Sequence, residues 1–156
     1  MPPRKIYFEN VRVGDELPAM AKSPVDRVQL ARFAGATNDY NPIYYDEDYA
    51  RASGFTSVVA PPTFPCAFHT GADLRELLGV PLRSLLNAEA SFEYERPIVA
   101  GDRLLVTSRV AEVQERPSST GKMEVAVLED EGRDEEGKLV YRMRRTLVVR
   151  GSKEHG

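Results

Sequence analysis

Residues 39–64 of the sequence read DYNPIYYDEDYARASGFTSVVAPPTF. The first part of this stretch, residues 39–46, holds two aspartates, an asparagine and three tyrosines, and the stretch ends around the diproline Pro61-Pro62. Because proline fixes its own φ angle and restricts the residue before it, the diproline sets a rigid boundary. A connecting loop does not need this density of polar side chains, so residues 39–64 are the candidate site.

Short helices are predicted before the stretch and within it. Ser23 can cap the earlier helix, Pro24 suits its first position, and apolar residues recur at helical spacing up to Gly35. Asp46 can cap a second, shorter helix that Gly54 stops. Asp39 would then lie in the loop between the two helices.

The longest helical pattern follows the diproline. From Thr63 the apolar residues recur three and four positions apart, and the pattern stops around Gly79 and Pro81. We predict a buried central helix over residues 63–78.

After Pro81 the sequence changes to alternating apolar and polar residues, which is typical of strands with one buried face. Four such segments follow one another with short connections, which predicts an antiparallel meander and an α+β fold. We expect one domain over residues 1–150 and a loose tail over residues 151–156. The four predicted strands cover residues 88–95, 104–113, 123–128 and 139–149.

Composition and charge exclude several classes of function. The chain has 156 residues, 29% of them charged, and a formal net charge of −3, which gives no electrostatic reason to expect nucleic acid or an anionic membrane as partner. No apolar run reaches the roughly 20 residues that span a bilayer, and the N-terminus lacks a signal-peptide pattern, so a cytoplasmic protein is expected. The late basic residues Arg142, Arg144 and Arg145 are interpreted as a solvated strand face.

No metal site or nucleotide-binding loop is visible in the sequence, so we expect no cofactor. The single cysteine, Cys66, fits a reducing compartment. Cys66 lies in an apolar segment without an adjacent base, which favours a buried structural thiol over a nucleophile.

The pattern Asp39-x-Asn41-Pro42-Ile-x-x-Asp46, followed by Gly54-Phe55 and a long helix, resembles the signature of the MaoC-like hydratases and dehydratases. The later run FEYERPIVAGD at residues 92–102 resembles the second recurring stretch of that family. The resemblance implies the hotdog fold, in which an antiparallel sheet wraps around a central helix, here residues 63–78.

Members of this family that hydrate 2-enoyl thioesters use an aspartate and a histidine in the pattern Asp-x-Asn-Pro-x-His. In this sequence Asp39 and Asn41 match the pattern, whereas Tyr44 occupies the histidine position. By resemblance Asp39 would be the base and Asn41 an orienting amide. Tyr44 would either orient the water or fill the space of the histidine. From the residue types alone, Asp39 could equally bridge a turn through Asn41.

The family's His-Gly pair, whose glycine amide bonds the thioester oxygen, aligns with Pro61-Pro62. Since proline has no amide hydrogen, the amides of Thr63 and Phe64 or the Thr63 hydroxyl become the candidate donors. His69 is either a substrate-facing residue or a satisfied core histidine. Around Pro62, Thr63, Phe64 and His69 we therefore expect the substrate-binding part of the site.

Two functions follow from the resemblance. The first is R-specific hydration or dehydration of 2-enoyl and 3-hydroxyacyl thioesters of CoA or an acyl carrier protein. The second is a non-catalytic subunit that binds substrate or stabilises a partner in a two-subunit hotdog dehydratase, because the combination with Tyr44 and Pro61-Pro62 is similar to the N-terminal MaoC-type dehydratase domain. Acyl thioesterase activity is a weaker alternative. In each case the substrate carries its own CoA or pantetheine, and a homo-oligomer or a heteromer with a second hotdog subunit is expected.

Overall fold

A computed structural model of the chain describes residues 11–16, 20–21, 24–68, 85–119 and 121–150. The helices are α1 (Arg27–Ala36) and α2 (Glu47–Ala52), with 3₁₀ helices at Pro42–Tyr44 and Phe64–Ala67. The strands are β1 (Met20–Ala21), β2 (Leu85–Tyr94), β3 (Leu105–Ser118), β4 (Gly121–Arg133) and β5 (Leu139–Arg150). The predicted α+β class is confirmed.

The five strands form one sheet in the order β1-β3-β4-β5-β2, with every neighbouring pair antiparallel. The predicted meander is therefore right only for β3, β4 and β5. Strand β2 crosses to the far side of the sheet and pairs with β5 instead of β3. Two contacts fix the segment that connects β2 to β3. Val99 bridges to Val59, and the Ala60 amide donates to the Ile98 carbonyl at 2.8 Å.

The inner face of the sheet and the helices enclose the main core. Leu30 of α1, Phe64 and Phe68 after the diproline, and Ile98 in the crossover are all buried in one cluster with residues of β3 and β5. Burial of these side chains provides the main driving force for folding, at about 1.5–3 kcal/mol for each large side chain. The core places the candidate segment at one end of the sheet, next to α1.

Helix α1 begins later than predicted. Its cap is Asp26, whose carboxylate accepts from the Val28 amide at 2.6 Å, whereas Pro24 lies before the helix and Ser23 lies outside the described residues. Val25 cannot be helical because its backbone pairs with the turn at Gly101 and Asp102. A long-range strand-like contact thus overrides the local start signal.

The predicted central helix is only partly visible. Residues 64–67 form a 3₁₀ helix, and residues 69–78 lie outside the described part of the chain. The extent of this helix stays a prediction.

One part of the prediction for the basic residues is wrong. Arg142 and Arg144 do lie on the exposed outer face and pair with Glu131 and Glu129. Arg145 points to the inner face instead, where it is 2% exposed. Adjacent residues of a strand face opposite sides, so Arg144 and Arg145 cannot share a surface.

Within the described ranges, no helix combines the length and the apolar character needed to cross a bilayer.

Candidate functional site

Asp39 lies at the C-terminal end of α1. The helix ends at Ala36, Asn38 takes a left-handed conformation with φ 55°, and the Asp39 amide then donates to the Ala34 carbonyl at 2.9 Å. Asparagine tolerates this conformation better than most residues. The chain therefore reverses tightly and leaves the Asp39 side chain half-buried beside the helix end.

Tyr44 reaches the same place from the following 3₁₀ helix. Its ring is 7% exposed and packs with Ala34 and Val59. Burial raises the pKa of the Tyr44 phenol, and the charge of Asp39 and a side-chain hydrogen bond to Asp39 raise it further. The phenol therefore keeps its proton at neutral pH, and its hydroxyl lies beside the Asp39 carboxylate.

Local turn bonds use the remaining polar groups of the segment. The backbone N–H of Asn41 donates to Asp39 Oδ1 at 3.3 Å. The side-chain Oδ1 of Asn41 accepts from the Ile43 amide at 3.2 Å and caps the 3₁₀ helix. The Tyr45 hydroxyl donates to the Asp39 carbonyl at 3.0 Å. The turn-bridging alternative for Asp39 and Asn41 is thus present in the structure. Asn41 is placed beside Asp39, but its side-chain oxygen is engaged in capping.

Helix α2 covers the segment, and its predicted cap is confirmed. Asp46 Oδ1 accepts from the Tyr49 amide at 3.1 Å, and Glu47 pairs with Arg27 of α1 at 2.9 Å and with Arg51 at 3.0 Å. The hydrogen bond from Arg27 and the charge of Arg51 lower the pKa of the Glu47 carboxyl. The pair with Arg27 ties α2 to the start of α1, whereas the pair with Arg51 lies within α2.

At the diproline, the structure removes one of the predicted donors. The Phe64 amide donates to the Pro61 carbonyl at 2.9 Å inside a turn, so it does not face a ligand. Thr63 is exposed and its hydroxyl makes no capping bond to the helix. Among the described residues, Thr63 is therefore the predicted donor that stays available, and His69 lies outside them.

Tyr94 was missed by the sequence reasoning. Its hydroxyl donates to the Pro62 carbonyl at 2.5 Å, and burial raises the pKa of this phenol. The bond ties the end of β2 to the turn that presents Thr63. The alternation around residues 92–95 contained the signal, because it places Tyr94 on the same face as the core residue Phe92.

The structure brings Asp39, Asn41 and Tyr44 together, and it holds residues 61–64 in a separate turn. In the described part of the chain, no hydrogen bond joins the two groups. They are linked through apolar contact, because the ring of Phe33 in α1 meets the ring of Phe64 edge to face at 5.4 Å.

A groove of about 500 Å³ opens between α1 and the segment after the diproline. Its floor is aromatic and its rim carries two polar side chains of α1. The lining residues are Val25, Gln29, Arg32, Phe33, Phe64, Ala67 and Phe68. The shape and lining suit an apolar chain with a polar end.

Cys66 is half-buried next to this groove, and its Sγ lies 4.0 Å from Met143 Sδ. Burial raises the pKa of the thiol. A thiol that keeps its proton is a poor nucleophile, which agrees with the structural role predicted for Cys66. Across the described residues, no three His, Cys, Asp or Glu side chains group as a metal site would require.

Comparison with known proteins identifies the family. Residues 11–143 match the FAS1-like, dehydratase domain region. A UPF0336 protein of Streptomyces avermitilis is 34% identical over 146 residues, which cover 91% of this chain and 95% of that protein.

Two solved structures share the fold at similar length or as part of a longer chain. A MaoC-like dehydratase superposes with a TM-score of 0.76 at 28% identity, over 90% of this chain and 43% of that one. The C-terminally truncated HadBC complex of Mycobacterium tuberculosis, a 3R-hydroxyacyl-ACP dehydratase, gives a TM-score of 0.71 at 25% identity, over 87% of this chain and 96% of that one. The chain therefore belongs to the FAS1-like dehydratase domain family and has the hotdog fold of the MaoC-like dehydratases.

Proposed function

We propose that this chain is the acyl-thioester-binding subunit of a hotdog dehydratase that interconverts 3-hydroxyacyl and 2-enoyl thioesters, and that a second hotdog subunit supplies the acid–base pair. The observation that carries the proposal is Tyr44. It fills the position of the family's histidine, it is buried, and its hydroxyl keeps its proton beside the Asp39 carboxylate.

Addition of water to an enoyl thioester requires a base that takes a proton from water and a donor that protonates the α-carbon. A phenol whose pKa is raised above its ordinary value cannot serve as the base near pH 7. Tyr44 can hold Asp39 in place, but it cannot take the role that imidazole has in the family pattern.

The hydrogen bonds of Asp39 also indicate a structural role. Its Oδ1 accepts from the backbone amide of Asn41, and its own backbone amide and carbonyl are both engaged. The turn therefore holds Asp39 through both its backbone and its carboxylate.

The set of hydrogen-bond donors for the thioester oxygen is also incomplete. Pro62 has no N–H, and the Phe64 N–H is bonded to Pro61. Thr63 is left as the one predicted donor, while the family pattern needs donors to stabilise the developing enolate charge. Substrate binding therefore suits residues 61–64 better than catalysis does.

The open edge of β2 supports a partner subunit. In the described part of the chain β2 pairs on one side only, with β5, and it carries the exposed apolar residue Leu86. An unpaired edge of this length favours strand pairing with another chain. HadBC is a complex by its description, and we propose an analogous second hotdog subunit here. CoA or carrier-protein pantetheine would belong to the substrate, and no cofactor is proposed.

A second candidate is a self-sufficient R-specific hydratase. The preserved neighbourhood of Asp39 and Tyr44 favours it, because Asp39 lies where the family places its base and Tyr44 reaches it directly. In that case Tyr44 would orient the water.

Hydration of crotonyl-CoA by the purified chain separates the two candidates. We expect no turnover above that of Asp39→Asn, together with measurable binding of the unreactive analogue butyryl-CoA by calorimetry. The double variant Tyr44→His with Pro62→Gly restores both missing family groups and is expected to gain turnover. Turnover by the unmodified chain that Asp39→Asn abolishes would favour the self-sufficient hydratase. If neither turnover nor butyryl-CoA binding is found, both candidates fail for short CoA thioesters.

A further inference from the structure

Two buried hydrogen-bond donors lie on the inner face of β5. Tyr141 is fully buried and Arg145 is 2% exposed. Across the described residues, neither the Tyr141 hydroxyl nor Arg145 Nε finds a hydrogen-bond partner. A buried polar group without a partner costs about 1–3 kcal/mol, so such a group in a native protein requires an explanation. We name these two groups the inner-face donors.

Strand register explains how the inner-face donors come together. Tyr141, Met143 and Arg145 alternate along β5 and therefore face the same side of the sheet. On β4, Asp130 pairs with Met143 and thus lies between the other two. Arg145 Nη2 donates to Asp130 Oδ2 at 2.8 Å, so this bond engages Nη2 and not Nε.

The charge of this region selects the kind of group that can bind. Arg145 and Asp130 form an ion pair, 2% and 1% exposed, so their net charge is zero. A second anion would lie close to the Asp130 carboxylate in a low-dielectric interior, which is unfavourable. Burial raises the pKa of Tyr141, so its hydroxyl keeps its proton and can donate. A neutral oxygen that accepts hydrogen bonds fits these conditions.

Packed apolar side chains connect the lining of the groove with Tyr141. Phe68 lines the groove and stacks on Tyr141 with ring centroids 6.1 Å apart. Cys66 and Met143 meet beside the same ring and leave a weakly polar wall. Phe64, Phe68 and Tyr141 thus form a continuous row of ring contacts that begins at the groove.

We propose that the Tyr141 hydroxyl and Arg145 Nε bind a neutral oxygen, a hydroxyl or a ketone, on the acyl chain of the substrate at a distance from the thioester. This proposal rests on the proposed binding of acyl thioesters and narrows the substrate to oxygenated acyl chains. The oxygen accepts from both donors and satisfies groups that have no other partner among the described residues. An unsubstituted chain of equal length leaves them unsatisfied.

The test compares two series of saturated acyl-CoA thioesters of increasing length, one unsubstituted and one with a terminal hydroxyl, by calorimetric titration of the full chain. At one length, the hydroxylated ligand is expected to bind about 2- to 10-fold more tightly than its unsubstituted counterpart, the range that a net hydrogen bond gives. Tyr141→Phe is expected to remove this preference while it retains binding of the unsubstituted series.

Tyr94→Phe is the matched control, because Tyr94 lies opposite Tyr141 in register but its hydroxyl is bonded to Pro62. It is expected to keep the preference. If the unsubstituted series binds and no length shows a preference, or if the preference survives in Tyr141→Phe, the oxygen site is wrong and the proposed function stands. If no thioester of either series binds, the proposed function fails as well.

Discussion

The segment of residues 39–46 and the inner-face donors are both rich in polar groups, but they use them in opposite ways. In the segment, the side chains of Asp39 and Asn41 accept from backbone amides two residues away, and Tyr44 lies beside Asp39. On the inner face, residues from different strands meet, and two donors keep no partner in the described structure. The segment that carries the family's catalytic pattern is therefore satisfied by local hydrogen bonds, whereas the two donors without a described partner lie on the buried inner face of β5.

The largest effect on stability is expected when Arg145 is replaced. Arg145→Met takes away the ion-pair partner of the buried Asp130 carboxylate, and such a loss destabilises by about 3–5 kcal/mol. Urea denaturation monitored by circular dichroism measures the change. The neighbouring variant Arg144→Met is the control, since it breaks an exposed pair with Glu129 and should cost about 0–1 kcal/mol.

Equal effects of the two substitutions would contradict the burial of Arg145. The double variant Arg145→Met with Asp130→Leu removes both charges and should recover most of the loss, because an apolar pair often replaces a buried ion pair without cost.

A second change tests how tightly Tyr141 is held. A Cβ added at Gly132 would overlap the ring of Tyr141, which lies flat on that glycine across the strand pair. Gly132→Ala should therefore destabilise by about 1–3 kcal/mol, as overpacking of a rigid core does. Gly35→Ala is the matched substitution in α1, where a Cβ meets nothing within 4 Å and should stabilise by about 0.5–1 kcal/mol. Thermal unfolding of both variants checks the opposite signs.

A third change examines the segment itself. Tyr44→Phe removes the hydroxyl of a buried residue beside Asp39 and should lower the free energy of unfolding by about 0.5–1.5 kcal/mol. Tyr40→Phe serves as the control, because Tyr40 is 71% exposed and should be close to neutral. If Tyr44→Phe were neutral too, the Tyr44 hydroxyl would not stabilise the segment, and the contrast with the inner-face donors would fail.

The smallest expected effect concerns pH. The pKa of Glu47 is lowered in the folded state by Arg27 and Arg51, and that of Glu131 by Arg133 and Arg142. A depressed carboxyl pKa contributes stability that is complete above the unfolded value of 4.5 and is lost as the pH falls below it through the folded value. Unfolding at pH values on both sides of 4.5 should show this loss, and Glu47→Gln should reduce it. A larger pH dependence in Glu47→Gln would contradict the pairing.

Local signals in the sequence predicted local structure well. The cap of α2 at Asp46 and its end before Gly54 follow from residues within a few positions and are confirmed. The family pattern also predicted that Asp39 and Tyr44 lie together. The start of α1 was wrong because Val25 pairs with the turn at Gly101, which no local pattern reveals.

Non-local choices were harder to derive. Strand β2 could pair with β3 or with β5, since both partners are amphipathic, and only the assembled sheet decides between them. Arg145 could have been separated from Arg144 by strict alternation, but its partner Asp130 lies on another strand whose register the sequence does not fix. The role of His69 and the helix beyond residue 68 stay predictions.

Hydration of crotonyl-CoA by the purified chain alone, beside the Asp39→Asn variant, decides whether this chain needs a second subunit for catalysis. Both proteins are expected to be folded and neither is expected to turn over the substrate, because Tyr44 stands in place of the family's histidine and Pro62 in place of its amide donor. Turnover by the unmodified chain that disappears in Asp39→Asn would contradict this expectation and make Asp39 the base of a complete hydratase.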